Sequence, residues 1–199
     1  MIWHFIDTKS SSGKFNMELD IFLSKICKND EAFFRLYRWE PYTISLGANQ
    51  NINEINLKKC EADNIGLVKR PTGGRAILHA EELTYSIIIP FSYGLSAREI
   101  YDKVSVTLSS ALAKYNSLLS SVELENIQPN FKELLNIPSG TLCFASTAKS
   151  EVKFKGKKLI GSAQRKLEKV VLQHGSILCG KKHTELPDYL MDTTNIKML

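Results

Sequence analysis

The chain has 199 residues, enough to bury one sizeable core without disulfide or metal staples. With 43% hydrophobic and 24% charged residues, its composition excludes a disordered tail, a collagen-like repeat and a coiled coil. Lys and Arg number 26 against 21 Asp and Glu, a net charge of +5 that suits an acidic macromolecular partner without requiring nucleic acid.

The first residues, Met1 to Asp7, carry neither a basic segment nor a long apolar one, so no signal peptide is expected. Asn16 to Lys28 places Leu19, Phe22, Leu23 and Ile26 at helical spacing and predicts a helix. Phe33 to Trp39 and Thr43 to Gly47 are rich in β-formers and are split by Glu40-Pro41, which predicts two strands joined by a turn. Asn53 to Asn64 predicts a weaker helix and Leu67 to Arg70 a short strand. Thr84 to Pro90, with its isoleucine run, predicts a buried strand that is far too short to cross a bilayer. Ser96-Ala97-Arg98-Glu99 has the form of a capping box, and Ile100, Val104, Leu108, Leu112 and Tyr115 follow at helical spacing. Residues 116–142 read as a long loop. Val152 and Phe154 alternate with lysines, a turn falls at Gly156-Lys157, and Leu159–Gln164 and Val170–Leu178 read as strands. Helices and strands alternate throughout, so the expected class is α/β or α+β with a mixed sheet.

Four cysteines (Cys27, Cys60, Cys143, Cys179) lie far apart with no Cys-x-x-Cys pair, so no metal site is expected. Without a secretory signal they read as free thiols of a cytoplasmic protein. Three segments carry chemistry. In Arg70-Pro71-Thr72-Gly73-Gly74-Arg75-Ala76-Ile77-Leu78-His79, adjacent glycines let the backbone approach a ligand with its amides unshielded, and Arg70 and Arg75 would supply charge. A tight turn fits the same glycines. In Gly156-Lys157-Lys158-Leu159-Ile160-Gly161-Ser162-Ala163-Gln164-Arg165, small residues weaken a strand and suggest close approach of a ligand or another backbone. In Gln173-His174-Gly175-Ser176, polar residues interrupt an apolar strand, with Leu172, His174 and Ser176 on one face by alternation.

Together with Phe15-Asn16-Met17-Glu18-Leu19-Asp20 and Ser45-Leu46-Gly47…Gln50-Asn51, these segments closely resemble, in order, the motifs of the biotin/lipoate A/B protein ligase family in its lipoyl branch. The resemblance runs from about Trp3 to Leu178. It implies an α/β (α+β) fold of the class II synthetase or biotin-ligase type, a mixed β-sheet flanked by helices, with one catalytic domain over residues 1–199 and no C-terminal accessory domain. It implies transfer of an octanoyl or lipoyl chain to a lysine of a lipoyl-carrier domain. The substrate-binding set it implies is Arg70, Gly73, Gly74, Arg75, His79, Gly161, Ser162, Ala163, His174 and Gly175, with Lys158 at the reacting centre.

Within that family the chain is most similar to the cysteine-dependent octanoyltransferases. Cys143 stands in Leu142-Cys143-Phe144, fifteen residues before Lys158, as the subgroup's acyl-accepting cysteine does. Arg75 occupies the place where the ATP-dependent ligases carry a third glycine. A thiol suits acyl transfer from a thioester, and a neighbouring ammonium such as Lys158 would favour the thiolate and stabilise the oxyanion. The chain departs from the pattern at Ala80, where Asp is usual, and at Ala145–Lys149, where a proline and aromatics are usual. On the transferase reading the donor is octanoyl-acyl carrier protein, the acceptor is glycine-cleavage H protein or a dehydrogenase E2 lipoyl domain, and no cofactor is required. Two alternatives stay open: a catalytic subunit of an ATP-dependent lipoate-protein ligase, which would need ATP and Mg2+, and a non-catalytic acyl-carrier-binding module. No nucleic acid and no membrane are expected as partners. The acyl chain is expected in a narrow apolar tunnel between Gly73-Gly74 and the Lys158 strand, with Lys158 near its mouth.

Overall fold

The computed structural model describes residues 1–124 and 152–191. Ser12 accepts a hydrogen bond from the Phe15 amide and caps α1 (Gly13–Ile26), which therefore starts three residues before the apolar spacing predicts. Ahead of it lies β1 (Ile2–Ser11), a strand that the sequence did not announce. β1 is the sheet edge; His4, Ile6 and Thr8 are half-buried while the apolar Trp3 and Phe5 are exposed, so the sequence lacks the apolar–polar alternation by which a half-buried strand is recognised.

β2 (Glu31–Trp39) and β3 (Thr43–Leu46) follow as predicted, although they join different sheets. The helix expected over 53–64 is shorter, α2 (Leu57–Ala62), preceded by a single 3-10 turn at Ile52–Glu54. β4 (Gly66–Lys69), β5 (Ile77–His79) and β6 (Glu82–Pro90) come next. α3 (Ala97–Tyr115) opens on a capping box in which Ser96 and Glu99 each bond the other's amide. Within the segment expected to be a loop, a 3-10 turn at Ser117–Ser121 and a two-residue strand, β7 (Glu123–Leu124), are formed. β8 (Val152–Phe154), β9 (Lys157–Lys166) and β10 (Val170–Leu178) complete the strands, and a 3-10 segment spans Lys182–Tyr189.

Seven strands form one sheet in the order β1-β2-β6-β10-β9-β8-β7, with β1 parallel to β2 and the remaining neighbours antiparallel. A second sheet, β4-β3-β5, pairs β3 parallel to β4 and antiparallel to β5. The large sheet is covered on both faces. Tyr85, Ile87 and Ile89 of β6 pack with Ile160 and Val171 against Ile100, Val104 and Leu108 of α3. Ile88 packs from the opposite face with Val170 and Leu172 against Leu23 of α1 and Cys27, which caps the end of that helix. The small sheet builds its own core around Ile44, Leu78, Cys60 and Leu186. This is the mixed sheet flanked by helices that the sequence predicts. Among the described residues, no helix is long and apolar enough to cross a membrane.

Candidate active site

On the α1 face, the strand alternation that buries Ile88, Val170 and Leu172 also sets a row of polar side chains toward the helix. These are Arg35 of β2, Glu82, Thr84 and Ser86 of β6, and His174 and Ser176 of β10, all buried. Burying such groups is costly unless each finds a partner, and two networks provide them.

The first centres on Asp20 of α1. Its Oδ1 accepts from Arg35 Nη1 at 2.9 Å and from Ser86 Oγ at 2.8 Å, and Tyr37 OH donates to Oδ2 at 3.3 Å. Arg35 and Asp20 are fully enclosed. His174 Nδ1 stands 3.6 Å from Asp20 Oδ2, and its Nε2 lies 2.6 Å from Thr72 Oγ1. At 3.6 Å the Asp20 contact is too long for a hydrogen bond; a carboxylate only accepts, so the tautomer with its proton on Nδ1 suits this side and leaves Nε2 to accept the Thr72 hydroxyl. Burial holds His174 below the ordinary histidine value, against the opposing pull of Asp20, so the ring is neutral at neutral pH.

The second centres on Glu82. Its Oε1 accepts from Thr84 Oγ1 and Ser176 Oγ, each at 2.7 Å, and faces His79 Nδ1 at 2.7 Å. His79 Nε2 lies 2.7 Å from Ser45 Oγ, and the Trp39 ring stacks on the imidazole at 4.0 Å. Trp39 Nε1 donates to Thr84 Oγ1, which closes the ring of contacts.

Between the networks runs a narrow cleft of about 30 Å³. Met17, Tyr37, Trp39 and Ile77 give it apolar walls, and Gly161, Ser162, Ala163 and Gly175 form the side made by β9 and β10. Only glycine fits at 175: a Cβ there would meet Gly161 O at 2.5 Å and Ser162 Oγ at 2.8 Å. The close approach of the two strands therefore depends on that residue.

Residues 70–76 form the adjoining loop. Arg70 is buried beneath it and donates through Nη2 to the carbonyls of Gly73 (2.9 Å) and Arg75 (2.6 Å), and through Nη1 to Ser45 O (2.9 Å). The guanidinium that the sequence offered as ligand charge thus also holds the loop's backbone. Gly74 has φ +92, a conformation that favours glycine, and Gly73 and Gly74 are exposed. From outside, Arg165 Nη1 donates to Pro71 O at 2.7 Å and ties the loop to β9.

Lys158 reaches this side through an irregularity in pairing. Val152 pairs with Ile160, but Lys153 pairs with Lys158, so Leu159 is the extra residue of a β-bulge. Leu159 and Ile160 both pack into the α3 core, and the alternation resumes with Lys158 on the face shared by Gly161 and Ala163. Of the predicted set, Arg70, His79, Gly161, Ser162, Ala163, His174 and Gly175 line the cleft. Gly73, Gly74 and Arg75 sit in the adjoining loop, and Lys158 lies further along β9. Cys143 lies outside the described residues. Thr72, Glu82, Trp39 and Ser45 are site residues outside the predicted set, as is Asp20, which closes the Phe15–Asp20 motif. The polar alternation Glu82-Thr84-Ser86 ahead of an isoleucine run was the available signal for Glu82. Among the described residues, no group of three or more His, Cys, Asp or Glu could hold a metal ion.

The lipoyl protein ligase A/B catalytic domain profile matches residues 12–197. The octanoyltransferase LipM of Macrococcus caseolyticus is 36% identical over 182 residues, covering 88% of this chain and 65% of the relative. That of Bacillus subtilis is 35% identical over 193 residues, covering 95% of this chain and 69% of the relative. The chain thus spans about two thirds of the length of these relatives. Among solved structures, a lipoate-protein ligase A bound with ATP superposes with a TM-score of 0.75 at 17% identity, covering all of this chain and 75% of the other. A bi-partite lipoate protein ligase with its E2 lipoyl domain, from Thermoplasma acidophilum, gives 0.62 at 18% identity, covering 96% and 68%. At these identities the structures establish a shared fold.

Proposed function

Since this chain belongs to the lipoyl protein ligase A/B catalytic domain family, we propose that it moves an octanoyl chain from acyl carrier protein, through a thioester on Cys143, to a lysine of a lipoyl-carrier domain. The observation that carries the reading is the narrow, apolar-walled cleft, together with Lys158 on the same face of β9 as Gly161 and Ala163. Apolar walls of this kind suit a linear acyl chain, which would enter by parting the Met17 and Ile77 side chains beside the small residues of β9 and β10. The relatives named octanoyltransferase LipM support the same direction.

The chemistry runs in two balanced steps. The Cys143 thiolate attacks the donor's thioester carbonyl, a new carbon–sulfur bond forms, and the donor thiolate leaves and takes up a proton. The acceptor lysine's amine then attacks the enzyme thioester, an amide forms with loss of one proton, and the Cys143 thiolate is released. Both steps pass through an oxyanion, which the Lys158 ammonium would stabilise. Neither step needs ATP. The acceptor is an H protein or a dehydrogenase E2 lipoyl domain. The thiols of Cys27, Cys60 and Cys179 are unbridged, which fits the reducing cytoplasm.

The test is intact-mass analysis after incubation with octanoyl-acyl carrier protein in the absence of ATP. The reading expects an octanoyl adduct that maps to Cys143 and passes to an apo lipoyl domain. Modification that requires ATP, Mg2+ and free lipoate would make the chain a ligase catalytic subunit. Donor binding with no transfer would make it a carrier-binding module.

A further inference from the structure

Between Val152 and Arg165 the chain carries five cations, Lys153, Lys155, Lys157, Lys158 and Arg165, and no acid. Four of them crowd the tip of the β8–β9 hairpin. Lys155 and Gly156 both have positive φ (50 and 74), so the connection is a tight two-residue turn, with Lys155 exposed in the turn and Lys157 exposed directly after it. Lys155 Nζ lies 5.3 Å above the ring of Phe154, which is half-buried, so the tip combines charge with a patch of aromatic surface. On the neighbouring strand, Glu123 is the acid in register with Lys153. Lys157 directly precedes Lys158, which the Leu159 bulge turns to the face of the cleft.

Building on the octanoyl-transfer reading, we propose that this hairpin tip is the docking surface for the acyl donor: an acidic carrier domain whose thioester hangs from a flexible arm bearing a phosphodiester. The cleft is too narrow to admit a folded domain, so the carrier body must rest on the rim while only its arm enters. The rim next to Lys158 along the chain is this tip. Its charge is complementary to an acidic domain, and to the arm's own anion as it passes Lys158. The acceptor domain suits the surface less well, because its reactive arm is a lysine side chain that carries no anion for Lys157 and Lys158 to meet.

The test is the double charge reversal Lys155→Glu and Lys157→Glu, two exposed residues with no part in the transfer chemistry. Steady-state transfer is compared with octanoyl-acyl carrier protein and with octanoyl-pantetheine, which has neither carrier body nor phosphate. The expected result is a KM for the carrier donor raised roughly tenfold or more, as loss of electrostatic steering gives, with kcat and the KM for octanoyl-pantetheine unchanged. An unchanged carrier KM, or a rise confined to the acceptor lipoyl domain, overturns the proposal. Fluorescence polarisation of labelled octanoyl-acyl carrier protein keeps the two readings separable. If the wild-type chain transfers from neither donor, the octanoyl-transfer reading fails. The docking surface then stands only if the labelled carrier still binds the wild type more tightly than the variant, and it falls if both bind alike.

Discussion

His174 Nε2 lies 2.6 Å from Thr72 Oγ1, so a residue in the middle of the large sheet fastens the loop that carries Gly73 and Gly74. Both partners are buried, and truncating either strands the other without water. Thr72→Val keeps the shape of the side chain and removes the hydroxyl that His174 accepts. It should lower stability by about 1–3 kcal/mol, the cost of leaving a buried polar group unsatisfied. Urea unfolding measures this, and a change under about 0.5 kcal/mol would show that the contact is idle.

The same histidine gives the fold an acid limit. Burial lowers its folded pKa, so the unfolded chain takes up a proton first as pH falls. The contribution to stability is intact above the unfolded value of about 6.5 and is lost progressively from there down to the folded value. One such group gives a slope of at most about 1.4 kcal/mol per pH unit. Unfolding free energies measured from pH 7 downward should fall within this window, and His174→Gln should flatten that part of the curve.

Asp20 is held by Arg35, Ser86 and Tyr37 in a fully enclosed site. Asp20→Ala leaves the Arg35 guanidinium buried with no counter-charge, and breaking such a pair from one side costs about 3–5 kcal/mol. A double change to Asp20→Leu and Arg35→Met removes both charges and should recover much of that loss. Thermal unfolding of the two variants beside the wild type checks this order. Equal destabilisation by the single and double changes would show that packing, not charge, holds this region.

How much of this was legible beforehand follows from how local each signal is. α3 was readable because Ser96 and Glu99 lie three residues apart and the apolar stripe repeats every turn. β6 and β10 were readable because strands buried in the middle of a sheet carry long apolar runs. β1 was not, because its exposed positions carry Trp3 and Phe5 while its half-buried ones include His4 and Thr8, so apolar and polar residues do not alternate along it. The partners inside the site were invisible for another reason. Thr72 and His174 are 102 residues apart and Asp20 and Ser86 are 66 apart, and only the completed sheet brings them together. The face of Lys158 likewise depends on the Leu159 bulge, which is a property of pairing with Val152 and Lys153 rather than of the β9 sequence alone.

The thiol chemistry gives the sharpest test. Burial pushes the Cys27 thiol up to about 11 and raises that of Cys60, so both are protonated near neutral pH and poor nucleophiles. Cys179 is exposed and its thiol donates only weakly, to Ile177 O. On the proposed reading Cys143 differs from all three through the Lys158 ammonium, which would favour its thiolate. Cys27→Ala, Cys60→Ala and Cys179→Ala should therefore retain ATP-independent octanoyl transfer, whereas Cys143→Ala should abolish it. Lys158→Ala should slow transfer by about 10²–10³, the usual loss for one oxyanion-stabilising group. Its melting curve should stay close to that of the wild type, because a half-buried hairpin lysine adds little to packing. Single-turnover transfer to an apo lipoyl domain, measured for all five variants, reads each effect. Full activity of Cys143→Ala would remove the thioester from the pathway. Full activity of Lys158→Ala would leave Lys158 as a hairpin charge of the same kind as Lys155 and Lys157.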